Sequence, residues 1–151
     1  MMDENQKRKL VNLITQRGKK MESIERFSEY FEIFARKTLK NAVLDINDLL
    51  MNNTNESLKL FLEDPYNHNR NTRYFVMIQL IYGNRLNSFF LDNTRHYPSL
   101  IFEGDELTGK IKVTTKIKEN AFSSSETDIS NLNVNNTYDM VINFIENIYK
   151  Q

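Results

Sequence analysis

From residue 21 to about residue 51 the apolar positions recur every three or four residues. Ile24, Phe27, Phe31, Phe34, Thr38, Ala42, Ile46 and Leu49 form one line, and Ala35, Leu39, Val43 and Leu50 widen it. That spacing gathers them on one face of an α-helix. Tyr30, Ile33 and Leu44 carry apolar surface further round the same helix, while Glu22, Glu25, Glu29 and Glu32 occupy early turns, where the macrodipole favours negative charge. No Gly or Pro interrupts the segment, so the pattern predicts a single helix of roughly 30 residues, about 45 Å long at 1.5 Å per residue. Such a rod exceeds the ~13 Å radius typical of a 100-residue domain. Part of it is therefore expected to project or to pack on another chain.

Residues 52–55 break the pattern, and a short helix is expected over residues 56–62 with Leu58, Phe61 and Leu62 inward, stopped by Asp64-Pro65. Beyond it the period changes. Residues 74–82 are aromatic and β-branched on both alternations, which predicts a central strand covered on both faces. Further strands are expected at residues 86–92, 99–103 and 110–118, the last alternating strictly, and a short edge strand near residues 127–129. Short links between consecutive strands predict an antiparallel meander. A closing helix follows an Asn cap at 133 or 135, with Tyr138, Val141, Ile145 and Ile148 on one face and Met140 and Phe144 beside them.

The fold class is α+β: N-terminal helices including one long helix, a four- to five-stranded antiparallel meander, and a C-terminal helix packed on the sheet. Residues 1–20 form a basic arm or short helix. Here Lys7, Arg8, Lys9, Arg17, Lys19 and Lys20 stand against Asp3 and Glu4, Leu10, Val11, Leu13 and Ile14 support the helix, and Gly18 is placed to end it. Residues 21–151 make a single domain, with a helical part at 21–64, a sheet at 73–118 and a helix at 134–150.

Composition narrows the class further. At 151 residues with 40% hydrophobic and 26% charged side chains, the chain has ordinary globular usage, which argues against a disordered or fibrous class. It contains no Cys, so disulfides, thiolate metal sites and cysteine nucleophiles are excluded together. No apolar run approaches the ~18 residues of a membrane span, and the N-terminus lacks the apolar core of a signal peptide. A cytoplasmic protein without membrane association is expected. Twenty basic residues balance twenty acidic ones, so any affinity for a polyanion must be local.

Enzyme signatures are sparse. There is no Gly-rich phosphate loop, nucleophile elbow or zincin motif, and no catalytic residue, metal or cofactor is assigned. The two histidines, His68 and His96, could meet at one end of the sheet with Asp64 and Asp92 as a zinc or iron site; scattered loop residues are the plainer reading. Glu103-Gly104-Asp105-Glu106 reads as a polar turn. Lys110, Lys112, Lys116 and Lys118 share one face of a strand with Thr114 and could track a phosphate backbone, although lysines also guard strands against edge-to-edge pairing. Glu103 and Glu106 lie close enough to pair with some of them.

The residues carry no resemblance to a known family. The leading expectation is a non-enzymatic protein-interaction module, an accessory or regulatory subunit of a larger complex or a homo-oligomer. It assembles through the long helix at Phe27, Tyr30, Ile33 and Phe34 and through the sheet. The alternatives are a nucleic-acid or polyanion binder using the lysine stripe, and a small metal-dependent enzyme.

Overall fold

The computed structural model describes residues 1–66, 73–82, 97–118 and 121–151. Helix α1 runs over Glu4–Glu25, α2 over Phe27–Ile33 and α3 over Leu39–Asn53, with a five-residue π turn, Phe34–Thr38, between α2 and α3. The rod is therefore longer than the apolar pattern predicts, and it carries two defects. Gly18 does not stop α1: its φ is not positive, and the helix continues to Glu25. At Arg26 the backbone departs to φ −108°, ψ 18°, yet its N–H still reaches the Glu22 carbonyl at 2.9 Å and its own carbonyl still accepts from Tyr30 at 3.0 Å. The hydrogen-bond ladder therefore runs on through Arg26.

The π turn has a phase to correct. At about 100° per residue, Phe27, Phe31 and Phe34 define one buried direction, whereas Leu39, Val43 and Leu50 in an unbroken α-helix would point roughly 130° away from it. One extra residue in a turn restores the alignment. All six side chains consequently enter one core, while Leu49, assigned to the stripe by simple spacing, is exposed.

Five strands, β1 (Glu56–Phe61), β2 (Tyr74–Tyr82), β3 (Ser99–Asp105), β4 (Lys110–Lys118) and β5 (Ala121–Asp128), form one antiparallel sheet in the order of the chain. Of residues 56–62, expected as a helix, 56–61 instead supply β1. Leu58 and Leu60 alternate inward, and Leu58 lies opposite Leu80 of β2. Asn47 on α3 reinforces the change: its Nδ2 donates to the Leu58 carbonyl at 2.9 Å and its Oδ1 accepts from the Leu58 N–H at 2.6 Å. A side-chain amide thus satisfies the outer edge of the strand, which would otherwise be an open pairing template. The strand expected at residues 86–92 lies outside the described residues. β2 pairs with β1 on one side and directly with β3 on the other. β5 is longer than the short edge strand expected near residues 127–129 and begins at Ala121.

One face of the sheet carries Tyr74, Val76, Ile78, Leu80, Leu100, Phe102, Ile111 and Val113 into the core beneath α2, the π turn, α3 and α4. Helix α4, Val134–Tyr149, starts at Asn133, whose side chain accepts from the Asn136 N–H, and it buries Thr137, Val141 and Phe144. Gly104 on β3 gives the aromatic cluster room: a Cβ there would stand 2.5 Å from the Phe27 ring and 2.9 Å from Tyr74 Cβ. The ring of Phe27 meets Tyr74 edge-on at 4.9 Å, and Phe34 meets Phe102 in the same manner at 4.9 Å. On the opposite face of β2, Phe75, Met77, Gln79 and Ile81 are also buried, as expected for a strand covered on both sides. Gln79 is satisfied there: its Nε2 donates to Ser99 Oγ at 3.0 Å, which donates on to the Tyr97 carbonyl at 3.0 Å, and its Oε1 accepts from the Tyr66 hydroxyl at 3.3 Å.

Among the described residues no helix is long and apolar enough to cross a membrane.

Candidate interaction surface

Helix α1 begins with a complete capping box. Asp3 Oδ1 accepts from the Gln6 N–H at 2.8 Å, and Gln6 Oε1 accepts from the Asp3 N–H at 3.0 Å. Two otherwise orphaned donors are thereby satisfied at the tip of the helix. From that tip to Lys19 every residue is exposed. The anchoring starts only at Lys20, whose Nζ approaches Asp128 at 3.5 Å, and at Ser23, which is buried against Gly109 at the β3–β4 turn. Gly109 has φ +70°, and its carbonyl accepts from the Ile129 N–H at 3.0 Å, which ties this turn to the far end of β5.

The projecting part of α1 carries an apolar patch. Leu10, Val11, Leu13 and Ile14 are 44%, 59%, 51% and 62% exposed and lie within two turns of one another. A polar helix exposed along this stretch is marginal by itself, because helices depend on tertiary packing for most of their stability.

Further along the rod, two adjoining depressions flank the π turn. One, about 560 Å³, is bounded by Lys19, Glu22, Tyr30, Ile33 and Phe34 on the rod and by residues 129–132 across from it. The second, about 570 Å³, lies between Ile33, Lys37 and Leu44 on the rod and Val134 and Tyr138 on α4. Ile33 belongs to both and is 48% exposed, and Leu44 is 55% exposed. The groove is thus floored by aliphatic side chains and edged by charge. Tyr30 donates its hydroxyl to Glu22 Oε1 at 2.9 Å, and Arg26 lies over the Tyr30 ring while bridging Glu29 at 3.0 Å and Glu22 at 3.9 Å. Tyr138 donates to Asp45 across the second depression. The hydrogen bond to Glu22, aided by burial, raises the Tyr30 phenol above its ordinary pKa, and the bond to Asp45 does the same for Tyr138. Both phenols are therefore held as neutral donors to these carboxylates.

The four interface candidates divide between core and surface. Phe27 and Phe34 are buried in the aromatic cluster, whereas Tyr30 is half-buried and Ile33 stands open at the groove. The exposed patch on α1 was not singled out by sequence reasoning. Its signal was present in Leu10, Val11, Leu13 and Ile14, but the expected stop at Gly18 hid the fact that these residues ride on a helix continuous with the rod.

The lysine stripe sits on β4 between two carboxylate-bearing strands. Lys110 lies opposite Asp105 on β3 and Asp128 on β5, and its Nζ approaches Glu126 at 3.8 Å. Lys112 lies opposite Glu103 and Glu126. Lys116 and Lys118 face Phe122 and Ala121, and a register irregularity between them interrupts the strict alternation. Half of the stripe therefore lies directly across from carboxylate-bearing positions. Of the acidic run at residues 103–106, read from the sequence as a turn, Glu103, Gly104 and Asp105 instead complete β3 and the turn begins at Glu106: Asp105 Oδ1 accepts from the Leu107 N–H at 2.9 Å, and Glu106 accepts from the Tyr74 hydroxyl at 2.9 Å. His68, His96 and Asp92 lie outside the described residues. Asp64 accepts from the Tyr66 N–H at 2.9 Å, and among the described residues no group of three or more His, Cys, Asp or Glu is placed to hold a metal ion.

No protein-family model, no curated protein and no solved structure matches the chain.

Proposed function

We propose that this protein is a non-enzymatic interaction module, an accessory or regulatory subunit of a larger assembly or of a homo-oligomer, and that α1 is the helix it presents. One observation carries the reading: a capped helix carries Leu10, Val11, Leu13 and Ile14 exposed together on a stretch in which every residue is exposed. An amphipathic helix presented in this way is the usual currency of helix-in-groove recognition. The groove beside the π turn supplies a complementary surface, and π turns concentrate at functional positions. A cysteine-free chain suits a reducing compartment, so we place this role in the cytoplasm. The polyanion reading of the lysine stripe is disfavoured by the carboxylates opposite Lys110 and Lys112.

The test is a paired affinity purification from the native host using the wild type and the L10Q/I14Q variant. Gln is uncharged and a good helix former, so the substitution strips the patch without unwinding α1. A protein held by the wild type and lost by the variant supports the reading. Identical sets from the two baits would refute it.

A further inference from the structure

The sheet ends in two edges that the chain treats differently. At β1 the outward N–H and C=O of Leu58 are taken by the Asn47 amide. At β5 no strand among the described residues lies beyond Ala121–Asp128, and residues 121–126 are all exposed. Native edges are ordinarily guarded by charge, Pro or a covering element. Ala121, Phe122, Ser123, Ser124 and Ser125 offer none of these, and Phe122 is 69% exposed. The direction of the free backbone groups follows from the ladder. The Ile129 N–H bonds the Gly109 carbonyl at 3.0 Å, and the register runs unbroken from Lys110 opposite Asp128 to Lys116 opposite Phe122. Bonded and non-bonded pairs alternate in an antiparallel ladder. Ser123, Ser125 and Thr127 therefore turn their N–H and C=O groups to β4, while those of Phe122, Ser124 and Glu126 point to the open edge.

We propose that this edge pairs with β5 of a second copy, antiparallel about a two-fold axis at Ser124, joining two five-stranded sheets into one. The surface is separate from α1, and the pairing does not depend on what α1 binds. In this register outward groups meet outward groups: Phe122 bonds Glu126 of the mate, Ser124 bonds Ser124, and Glu126 bonds Phe122, with about six backbone hydrogen bonds in all. The side chains agree at every step. Ser123 falls opposite Ser125, Ala121 opposite Thr127 and Phe122 opposite Glu126, so no like charges face each other. The hydroxyls of Thr114 and Ser124 already stand 3.1 Å apart, and the pairing carries that row across the axis into the mate. The axis has little room to slide. Towards Asp128 it meets α1, whose Lys20 lies 3.5 Å from that carboxylate, and towards Phe122 it carries Glu126 past the start of the mate's strand. Charge is not the driving force, since Glu126 keeps its approach to Lys110 at 3.8 Å. The arrangement is also closed: both β5 edges are consumed and Asn47 holds the outer edge of β1, so assembly stops at a dimer.

Sedimentation velocity on the purified full chain tests this, with hydrogen exchange as a second readout. The wild type is expected to form a dimer and nothing larger, with a dissociation constant that changes little with salt. The Phe122, Ser124 and Glu126 amides should exchange slowly in the dimer and quickly on dilution, whereas those of Ser123, Ser125 and Thr127 stay protected in both. Ser124→Pro removes an outward N–H and no backbone bond to β4, and should raise the dissociation constant roughly tenfold or more. Ser124→Lys and Ser124→Glu, which leave the backbone free, each set like charges opposite one another at the axis and should sediment as monomers with unchanged circular dichroism. Mixed together they should form a heterodimer, because opposite charges then meet. A wild type that stays monomeric at about 100 μM overturns the inference, as does an open polymer, a dimer that both charged variants leave intact, or charged variants that fail to combine. A dimer abolished by L10Q/I14Q but kept by Ser124→Lys also overturns it, and leaves the reading of α1 standing.

Discussion

Replacing Gly104 with Ala tests the packing that joins the rod to the sheet. The backbone at Gly104 is in an ordinary region, so the methyl group introduces no φ strain. What it meets is decisive. At 2.5 Å from Phe27 Cζ and 2.9 Å from Cε1, it falls about 1 Å inside the 3.5–4.0 Å at which carbon atoms attract. The ring could swing away only by leaving its edge-on contact with Tyr74 at 4.9 Å and its stacking on Phe31 at 6.0 Å. The third contact, Tyr74 Cβ at 2.9 Å, is fixed by a directly paired strand and cannot give. Overpacking of this kind costs about 1–3 kcal/mol, and a disturbed aromatic pair adds about 0.5–1.5 kcal/mol. Loss of glycine's freedom in the unfolded chain returns about 0.4–1 kcal/mol. The net expectation is a loss of about 2–3 kcal/mol, read as a fall of about 1 M or more in the urea midpoint with an unchanged slope. The F27L/G104A double variant should then be less destabilised than the sum of its parts by about 1 kcal/mol, because the shortened side chain vacates the contested space. A G104A midpoint within experimental error of the wild type, or strict additivity in the double variant, would refute this account of how the rod is seated.

Three further outcomes are expected. Asn47→Ala removes both hydrogen bonds to Leu58 and should cost about 2–3 kcal/mol, with the Leu58 amide losing protection in hydrogen exchange; unchanged protection would mean that α3 does not secure β1. Gly18→Ala should add about 0.5–1 kcal/mol of helix stability, visible as increased helical circular dichroism, since its Cβ would meet nothing within 4 Å. Burial and the hydrogen bond to Glu56 raise the Tyr149 phenol to about 12 in the folded chain. The folded state then holds a proton that an unfolded phenol releases near pH 10, so this stabilisation is complete below about pH 10 and disappears as pH climbs from there towards 12. Denaturation of Tyr149→Phe should show a shallower alkaline decline than the wild type, and superimposable profiles would remove Tyr149 from the explanation.

The aromatic and β-branched run of β2 and the alternation of β4 identify themselves, because their periods leave one reading. The Asn cap of α4 was legible as 133 or 135, and the structure takes Asn133; the inward face centres on Thr137, Val141 and Phe144, with Tyr138, Ile145 and Ile148 half-buried beside it. Residues 56–61 were ambiguous for a physical reason: Leu58, Leu60 and Leu62 alternate with Ser57, Lys59 and Phe61, but Leu58, Phe61 and Leu62 also fit a helical turn. The choice is made by Asn47 and β2, which are distant in the pattern and invisible to any local window. The same holds for the π turn, since a stepwise count of three and four residues slides past the extra one and assigns Leu49 to a core it never reaches. At the candidate surface, Tyr30 and Ile33 were legible as apolar excess. Phe27 and Phe34 were not separable from them until the sheet supplied Tyr74 and Phe102 as neighbours.

The extra residue between Phe34 and Thr38 works as a vernier on the rod. Between Phe27 and Leu50 the chain cannot gain or lose a single position without turning one half of its greasy stripe out of the core. Towards the N-terminus from Lys19 every residue is exposed, so burial sets no such lock there. Length changes in the arm would merely rotate and shift the patch it displays. The molecule thus keeps a segment whose reach and aim can drift in evolution while the seating of the helix on the sheet stays fixed.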